Sequence, residues 1–176
     1  MSKTPAESPA ITARRAAMNL LARREHSFNE LLQKLSEKFP EFSKEEILLP
    51  ALQRLQDENL QSDTRFAEAY VRYRSLRGFG PQKIAAELYS RKLDSDVLDS
   101  ALYEKGPDWA AICAEALGKK FRIKANAAEV ERIYWQRYLL QRGFDQEDIR
   151  KTIKSLLDNQ ETSDLNSPQM NSPADE

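Results

Sequence analysis

Ile84-Ala85-Ala86-Glu87-Leu88-Tyr89-Ser90-Arg91-Lys92-Leu93-Asp94-Ser95-Asp96-Val97-Leu98 sets a register that recurs twice elsewhere in the chain. Ile84 and Leu88 lie four apart, so on a helix they share one face. Leu93 follows as an apolar anchor. Asp94 is the kind of residue that accepts hydrogen bonds from the free amides at a helix start. Leu98 and Leu102 then resume the four-residue spacing. Upstream, Leu31, Leu35, Phe42, Ser43, Ile47 and Ala51 keep the same order, with two extra residues before the anchor. Downstream, Trp135, Leu139, Phe144, Asp145, Ile149 and Ile153 keep it without an insertion. The period is roughly 50 residues, longer than the 34-residue tetratricopeptide unit.

Helix punctuation agrees with this register. Ser27 with Glu30, and Ser43 with Glu46, have the spacing of a capping box. Asp63, Asp94 and Asp145 each precede an apolar-periodic run and suit the N-cap. Gly80-Pro81 and Gly106-Pro107 place proline where a first helical turn needs no donor. Starts near Thr12 and Asn126 bring the expectation to about nine helices, and no β-alternating run competes with them. Pro50 should kink the Ser43–Asn59 segment or delay its regular part. The expected fold is all-α, with three tandem three-helix modules at 12–60, 63–104 and 107–157. Links as short as Gln61-Ser62 imply modules in contact, arranged as an elongated, curved array suited to gripping a macromolecule.

Composition narrows the function. The 176 residues include 27 basic and 28 acidic side chains, for a net charge of −1. The charge is uneven: the stretch 12–157 is net positive, whereas 158–176 holds five acidic and no basic residues. That acidic tail and residues 1–11 carry few apolar groups and are expected to be disordered. The tail could screen the basic body as a mimic of nucleic acid or be a plain solvated terminus. With five glycines, one cysteine (Cys113) and one histidine (His26), a Gly-rich nucleotide site, a disulfide framework and a zinc site are disfavoured. No catalytic, metal or cofactor constellation is visible. Residues 1–11 lack the apolar core of a signal peptide and no apolar run reaches membrane length, so the expected location is the cytoplasm.

Three segments in order carry a resemblance. They are Leu21-Ala22-Arg23-Arg24-Glu25-His26-Ser27; Asp63-Thr64-Arg65-Phe66-Ala67-Glu68-Ala69-Tyr70-Val71 with Arg74, Gly78-Phe79-Gly80-Pro81, Ile84 and Leu88; and Tyr138-Leu139-Leu140-Gln141-Arg142-Gly143-Phe144. Together they resemble the RecX family of regulators of the RecA recombinase, over about residues 12–157. The resemblance implies tandem three-helix modules and a cytoplasmic bacterial protein, not an enzyme. It also implies binding to RecA and the RecA–DNA filament, with restraint of strand exchange and of RecA's ATP hydrolysis.

Between 65 and 92, seven basic residues (Arg65, Arg72, Arg74, Arg77, Lys83, Arg91 and Lys92) face two acidic ones. Arg65 and Arg72, seven apart, should project outward together. This set is the candidate contact with the RecA filament, since guanidinium forks suit carboxylate or phosphate; an ordinary solvated helix face is the alternative. Lys119, Lys120, Arg122 and Lys124 are candidate nucleic-acid contacts, or else a basic helix end favoured by the dipole. Phe66, Tyr70, Tyr73, Trp109, Tyr134, Trp135 and Tyr138 fit core packing better than base stacking. His26 sits at a helix boundary and Cys113 in the core. The chain reads as a monomer with DNA as a secondary ligand. A second reading is a sequence-nonspecific DNA-binding protein built from helix-turn-helix-like modules.

Overall fold

The register shared by residues 31, 84 and 135 is the register of the core. In a computed structural model that describes residues 8–123 and 127–165, with side chains to Asn159, Leu31, Leu35, Ile84, Leu88 and Leu139 are fully enclosed, and Trp135 nearly so. Leu93, Phe144, Leu98, Ile149, Ala51, Leu102 and Ile153 are buried as well. The described residues form α-helices and no strand: α1 (Pro9–Leu21), α2 (Phe28–Lys38), α3 (Leu49–Asp57), α4 (Asp63–Ser75), α5 (Pro81–Tyr89), α6 (Ser95–Asp99), α7 (Trp109–Lys120), α8 (Glu129–Gln141) and α9 (Gln146–Leu165). A wide turn at Lys44–Leu48 leads into α3, and another at Ser100–Glu104 continues α6.

Two compact units result, Met1–Arg74 with Ile84–Pro107 and Ser75–Lys83 with Asp108–Glu176. In the first, α1, α2 and α3 close around Ala13, Ala17, Leu31, Leu35, Leu48, Leu52 and Leu55. Phe66, Val71, Leu98 and Leu102 are further buried side chains of this unit. In the second, α7, α8 and α9 close around Cys113, Leu117, Trp135, Leu139, Phe144, Ile149 and Ile153. Helices of 9 to 13 residues are marginal alone, whereas each enclosed leucine or isoleucine contributes about 1.5–3 kcal/mol.

Pro50 acts as expected. The Leu48 and Leu49 amides reach back five residues, to the carbonyls of Ser43 and Lys44, and regular α-helix begins only at Leu49. This wider turn rotates the face, so Leu48 is fully buried while Ile47 only packs against the core edge.

Several helix starts differ from expectation. α1 begins at Pro9, not Thr12, because Ser8 caps it through Ile11 N at 3.4 Å; residues 9–11 are therefore helical, and 1–7 lie outside the described residues. α7 begins after Asp108, whose carboxylate accepts from Ala111 N at 3.1 Å, so Pro107 precedes the cap. Asn126 lies outside the described residues, and α8 starts at Glu129 with Glu131 reaching back to Ala128 N. Asp63 is not the cap of α4: Ser62 Oγ accepts from Arg65 N at 3.3 Å, while the Asp63 carboxylate accepts from Phe28 N at 2.8 Å, at the start of α2. The expected tail is also shorter. No glycine or proline interrupts 158–165, and α9 continues to Leu165; residues 166–176 lie outside the described residues.

The Gly78–Pro81 turn is held against the corner between α8 and α9. Gly80 N donates to Arg142 O at 2.8 Å and Gln82 N to Gly143 O at 3.0 Å. Gly143 has φ +86, and a Cβ there would lie 2.4 Å from the Lys83 backbone nitrogen. Gly143→Ala should therefore cost about 2 kcal/mol or more. Gly118, in α7 with nothing within 4 Å of an added Cβ, should gain about 0.5–1 kcal/mol from the same change. Chemical denaturation of the two variants checks both signs.

His26 is buried, with Nδ1 3.0 Å from Arg24 O. Burial, the largest influence, holds its pKa below the ordinary 6.5. The fold thus favours the neutral ring, so stability is full above pH 6.5 and falls as acid reaches the lower native value. The melting temperature should drop as the pH falls below 6.5 and drop less in His26→Gln. Parallel curves for the two proteins would assign the effect elsewhere.

Candidate functional site

Among the candidate cations in 65–92, Arg65, Arg74 and Arg91 belong to ion-pair networks inside the first unit. One turn apart on α4, Tyr70 and Arg74 meet Glu87 of α5. The Tyr70 hydroxyl donates to Glu87 Oε2 at 2.8 Å and Arg74 Nε to the same oxygen at 2.7 Å. Arg74 Nη2 closes the fork on Oε1. The Arg74 side chain is only 15% exposed. Burial first, and then the bond to Glu87, push the Tyr70 hydroxyl pKa up.

Arg91 extends the same network. Its Nη1 donates to the Glu87 carbonyl at 2.6 Å and its Nε to Glu30 Oε1 at 3.1 Å. Its guanidinium lies 4.6 Å from the centre of the Tyr70 ring, a cation–π stack. The other Glu30 oxygen accepts from Arg24 Nη1 at 3.0 Å. Ser27 Oγ does accept from Glu30 N, but the Glu30 carboxylate pairs with these two arginines instead of completing the expected capping box. Arg65 is held by Glu25 Oε1 at 2.9 Å and Asn59 Oδ1 at 2.8 Å. It therefore does not project freely beside Arg72, as the seven-residue spacing suggested. Arg72 and Lys92 are exposed, and Lys92 has φ 58, just after α5.

In the second unit, Arg77 and Lys83 are exposed. Lys83 Nζ lies over the Phe79 ring at 5.2 Å and donates to Gln141 O at 3.3 Å. Lys119, Lys120 and Arg122 are exposed at and just beyond the α7 end, and Lys119 pairs with Glu115 at 2.6 Å. Lys124 lies outside the described residues. Arg142, from the third resemblance segment, had no assigned role. Its Nη1 donates to Arg77 O at 2.8 Å and Gly78 O at 3.1 Å, and the guanidinium faces the rings of Phe79 and Tyr138.

The aromatic set divides. Phe66 and Trp135 are buried, while Trp109 and Tyr138 pack against the second unit's core. Tyr73 and Tyr134 are corrections, at 53% and 59% exposed. Tyr73 falls toward the solvent edge of the α4 stripe, and Tyr134 lies away from Trp135 and Leu139 on α8. Cys113 is enclosed, and burial raises its thiol pKa to about 11, which leaves too little thiolate for nucleophilic chemistry. Among the described residues no group of three His, Cys, Asp or Glu side chains could hold a metal. No described helix is long and apolar enough to cross a membrane.

Missing from the sequence expectation were the counter-ions Glu25, Glu30 and Glu87, together with Arg24. No local spacing announces them, because their partners lie 40, 61 and 13 residues away.

Known proteins resemble this arrangement along most of its length. Residues 62–102 match the family described as RecX, second three-helix domain. The regulatory protein RecX of Pseudomonas entomophila is 40% identical over 81% of this chain and 90% of its own. That of Chromohalobacter salexigens is 40% identical over 84% and 95%, and that of Legionella pneumophila 38% over 80% and 92%. The fold is shared with the crystal structure of RecX from Lactobacillus salivarius, at 22% identity and TM-score 0.70 over 86% of this chain and 97% of that one. A second regulatory protein RecX crystal structure gives TM-score 0.68 at 23% identity, covering 88% and 81%. The repeated helical register, the glycine-locked turn and sequence identity spanning nearly the whole of those relatives lead to one assignment: this chain belongs to the RecX family of regulatory proteins.

Proposed function

We propose that the chain binds the RecA recombinase and its filament on DNA, and limits filament extension, strand exchange and ATP hydrolysis without catalysing a reaction of its own. The observation that supports this reading most is identity of 40% across 90% of a regulatory protein RecX. It acts as a monomer in the cytoplasm, with three-helix modules at 12–60, 63–104 and 107–157 as its units of contact. Exposed Arg72 and Lys92 in the first unit, and Arg77 and Lys83 in the second, supply positive charge for acidic groups on RecA. Arg65, Arg74 and Arg91 contribute less directly, as cations stiffened by Glu25, Glu87 and Glu30. Lys119, Lys120 and Arg122 offer secondary phosphate contacts, which would be strongly salt-dependent. The exposure of Lys120 and Arg122 also favours a second reading, a nonspecific DNA binder. That reading predicts tight duplex binding by the protein alone in a mobility-shift assay at physiological salt.

Added to RecA on single-stranded DNA at well below one molecule per RecA subunit, the protein should depress ATP hydrolysis. An unchanged rate up to equimolar protein would remove this function. In the same assay Lys92→Glu, at an exposed side chain, should weaken inhibition with an unaltered melting temperature. Arg65→Glu should lower that temperature by a few degrees, as expected for losing a half-exposed pair and turning it into a repulsion worth about 1 kcal/mol.

A further inference from the structure

A cleft of about 480 Å³ opens in the first unit, lined by Arg24, Glu25, Glu30, Phe66, Ala69, Tyr70, Tyr73 and Arg91. Its volume lies within the range of small-ligand pockets. Apolar surface comes from one face of α4: Phe66, Ala69, Tyr70 and Tyr73 lie at successive three- and four-residue steps. Phe66 is almost wholly buried, and its ring lies 5.8 Å from that of Tyr70. Tyr73 continues the wall into solvent at 53% exposure.

The polar edge is asymmetric in charge. Glu30 receives one nitrogen from Arg24 and one from Arg91, so two guanidinium groups share a single carboxylate and the trio carries a net +1. Glu25, the other acidic lining residue, is matched by Arg65 at 2.9 Å. Among the described residues Arg24 donates through Nη1, toward Glu25 O and Glu30, and its side chain is 52% exposed. Arg91 uses Nε and Nη1. Donors remain on both guanidinium groups, and those groups are already oriented: Glu30 holds each, and Tyr70 stacks beneath Arg91. A ligand carboxylate would meet cations that have lost their rotamer freedom on folding, which lowers the entropic cost of binding.

We propose that this cleft is a docking site for a partner polypeptide that presents an apolar side chain, aromatic or leucine-sized, next to a carboxylate. The apolar group enters against Phe66, Ala69 and Tyr70. The acid bonds the outer nitrogens of Arg24 and Arg91. Charge decides the occupant: an apolar group flanked by lysine would meet two arginines balanced by one shared acid. This deepens the proposed regulatory reading by naming what the partner offers, and it can be tested without RecA.

The probe is an acetylated, amidated tetrapeptide alternating glutamate with phenylalanine and leucine, titrated into the full 15N-labelled chain. Its lysine counterpart serves as control. Saturable amide shifts should centre on Ala69, Tyr73 and Arg91, with a weak dissociation constant of order 10⁻⁴ M, as befits one apolar anchor and one ion pair. Ala69→Trp, which fills the cleft, and Arg24→Glu, at an exposed position, should each weaken binding at least tenfold. Arg24→Glu keeps the test valid if the tryptophan variant does not fold. Absence of saturation, equal binding of the lysine peptide, or retained affinity in folded Ala69→Trp or in Arg24→Glu would overturn the site. RecA ATP hydrolysis is then measured with the same variants. Loss of peptide binding together with inhibition supports the cleft as the regulatory contact. Peptide binding by a wild-type protein that leaves RecA unaffected supports the ligand class while the regulatory reading fails.

Discussion

Two backbone hydrogen bonds, Gly80 N to Arg142 O and Gln82 N to Gly143 O, satisfy free amides at the start of α5. Gly80 offers no capping oxygen, and Pro81 has no amide to donate. The α8–α9 corner supplies carbonyls instead, and reaching them requires backbone against backbone. A Cβ on Gly80 would meet Gly143 C and O at 2.5 Å, and one on Gly143 would meet Lys83. Phe144, next along, is fully enclosed. The Gly78–Pro81 and Arg142–Phe144 stretches, more than 60 residues apart in the chain, are therefore two halves of one contact. Arg142 reinforces it through the carbonyls of Arg77 and Gly78.

Acidic residues organise the basic stretch of the first unit. Counting charges between 65 and 92 gives the impression of an open cationic face, yet Arg74 is largely buried on Glu87, and Arg91 is divided between Glu30 and the Glu87 carbonyl. Pairs as exposed as Arg65–Glu25 contribute little to stability individually. The Glu87 cluster differs in being a bidentate fork that also accepts a tyrosine hydroxyl, so its hydrogen bonds hold α4 to α5 in one orientation. The unbalanced charge is thereby concentrated on fewer groups than the composition implies.

Apolar periodicity was legible because it repeats: Leu31, Ile84 and Trp135 are equivalent in sequence and equivalent in burial. Caps that use the next turn of the same helix were also visible, as at Ser27, Ser43 and Asp145. Contacts between helices were not. Asp63 has every local feature of an α4 cap, yet its carboxylate serves Phe28, 35 residues earlier. Glu30 looked like the second half of a capping box until two arginines from other segments competed for it. Near Pro50 the failure was one of phase: the five-residue hydrogen-bond step exchanges Ile47 for Leu48 in the core, and a fixed 100° rotation per residue cannot anticipate that. The cleft was hidden for the same reason as the ion pairs, since Arg24 and Arg91 approach each other only through Glu30.

Short helices oblige core and surface to share residues. Arg91 illustrates the consequence: through Nε it ties the end of α5 to α2, through its π-stack it covers Tyr70, and it also lines the cleft. Removing it would alter packing, charge and recognition together, so a loss of binding in such a variant would carry little information about contact. Arg24, half exposed before the first turn of α2, shares the Glu30 carboxylate without supporting an aromatic ring, and Ala69 can be enlarged without deleting any hydrogen bond. The division between residues that build the frame and residues that touch a partner therefore runs within each helix, not between them, and α4 carries both: Phe66 and Val71 turned inward, Ala69 and Tyr73 lining or leaving the core surface.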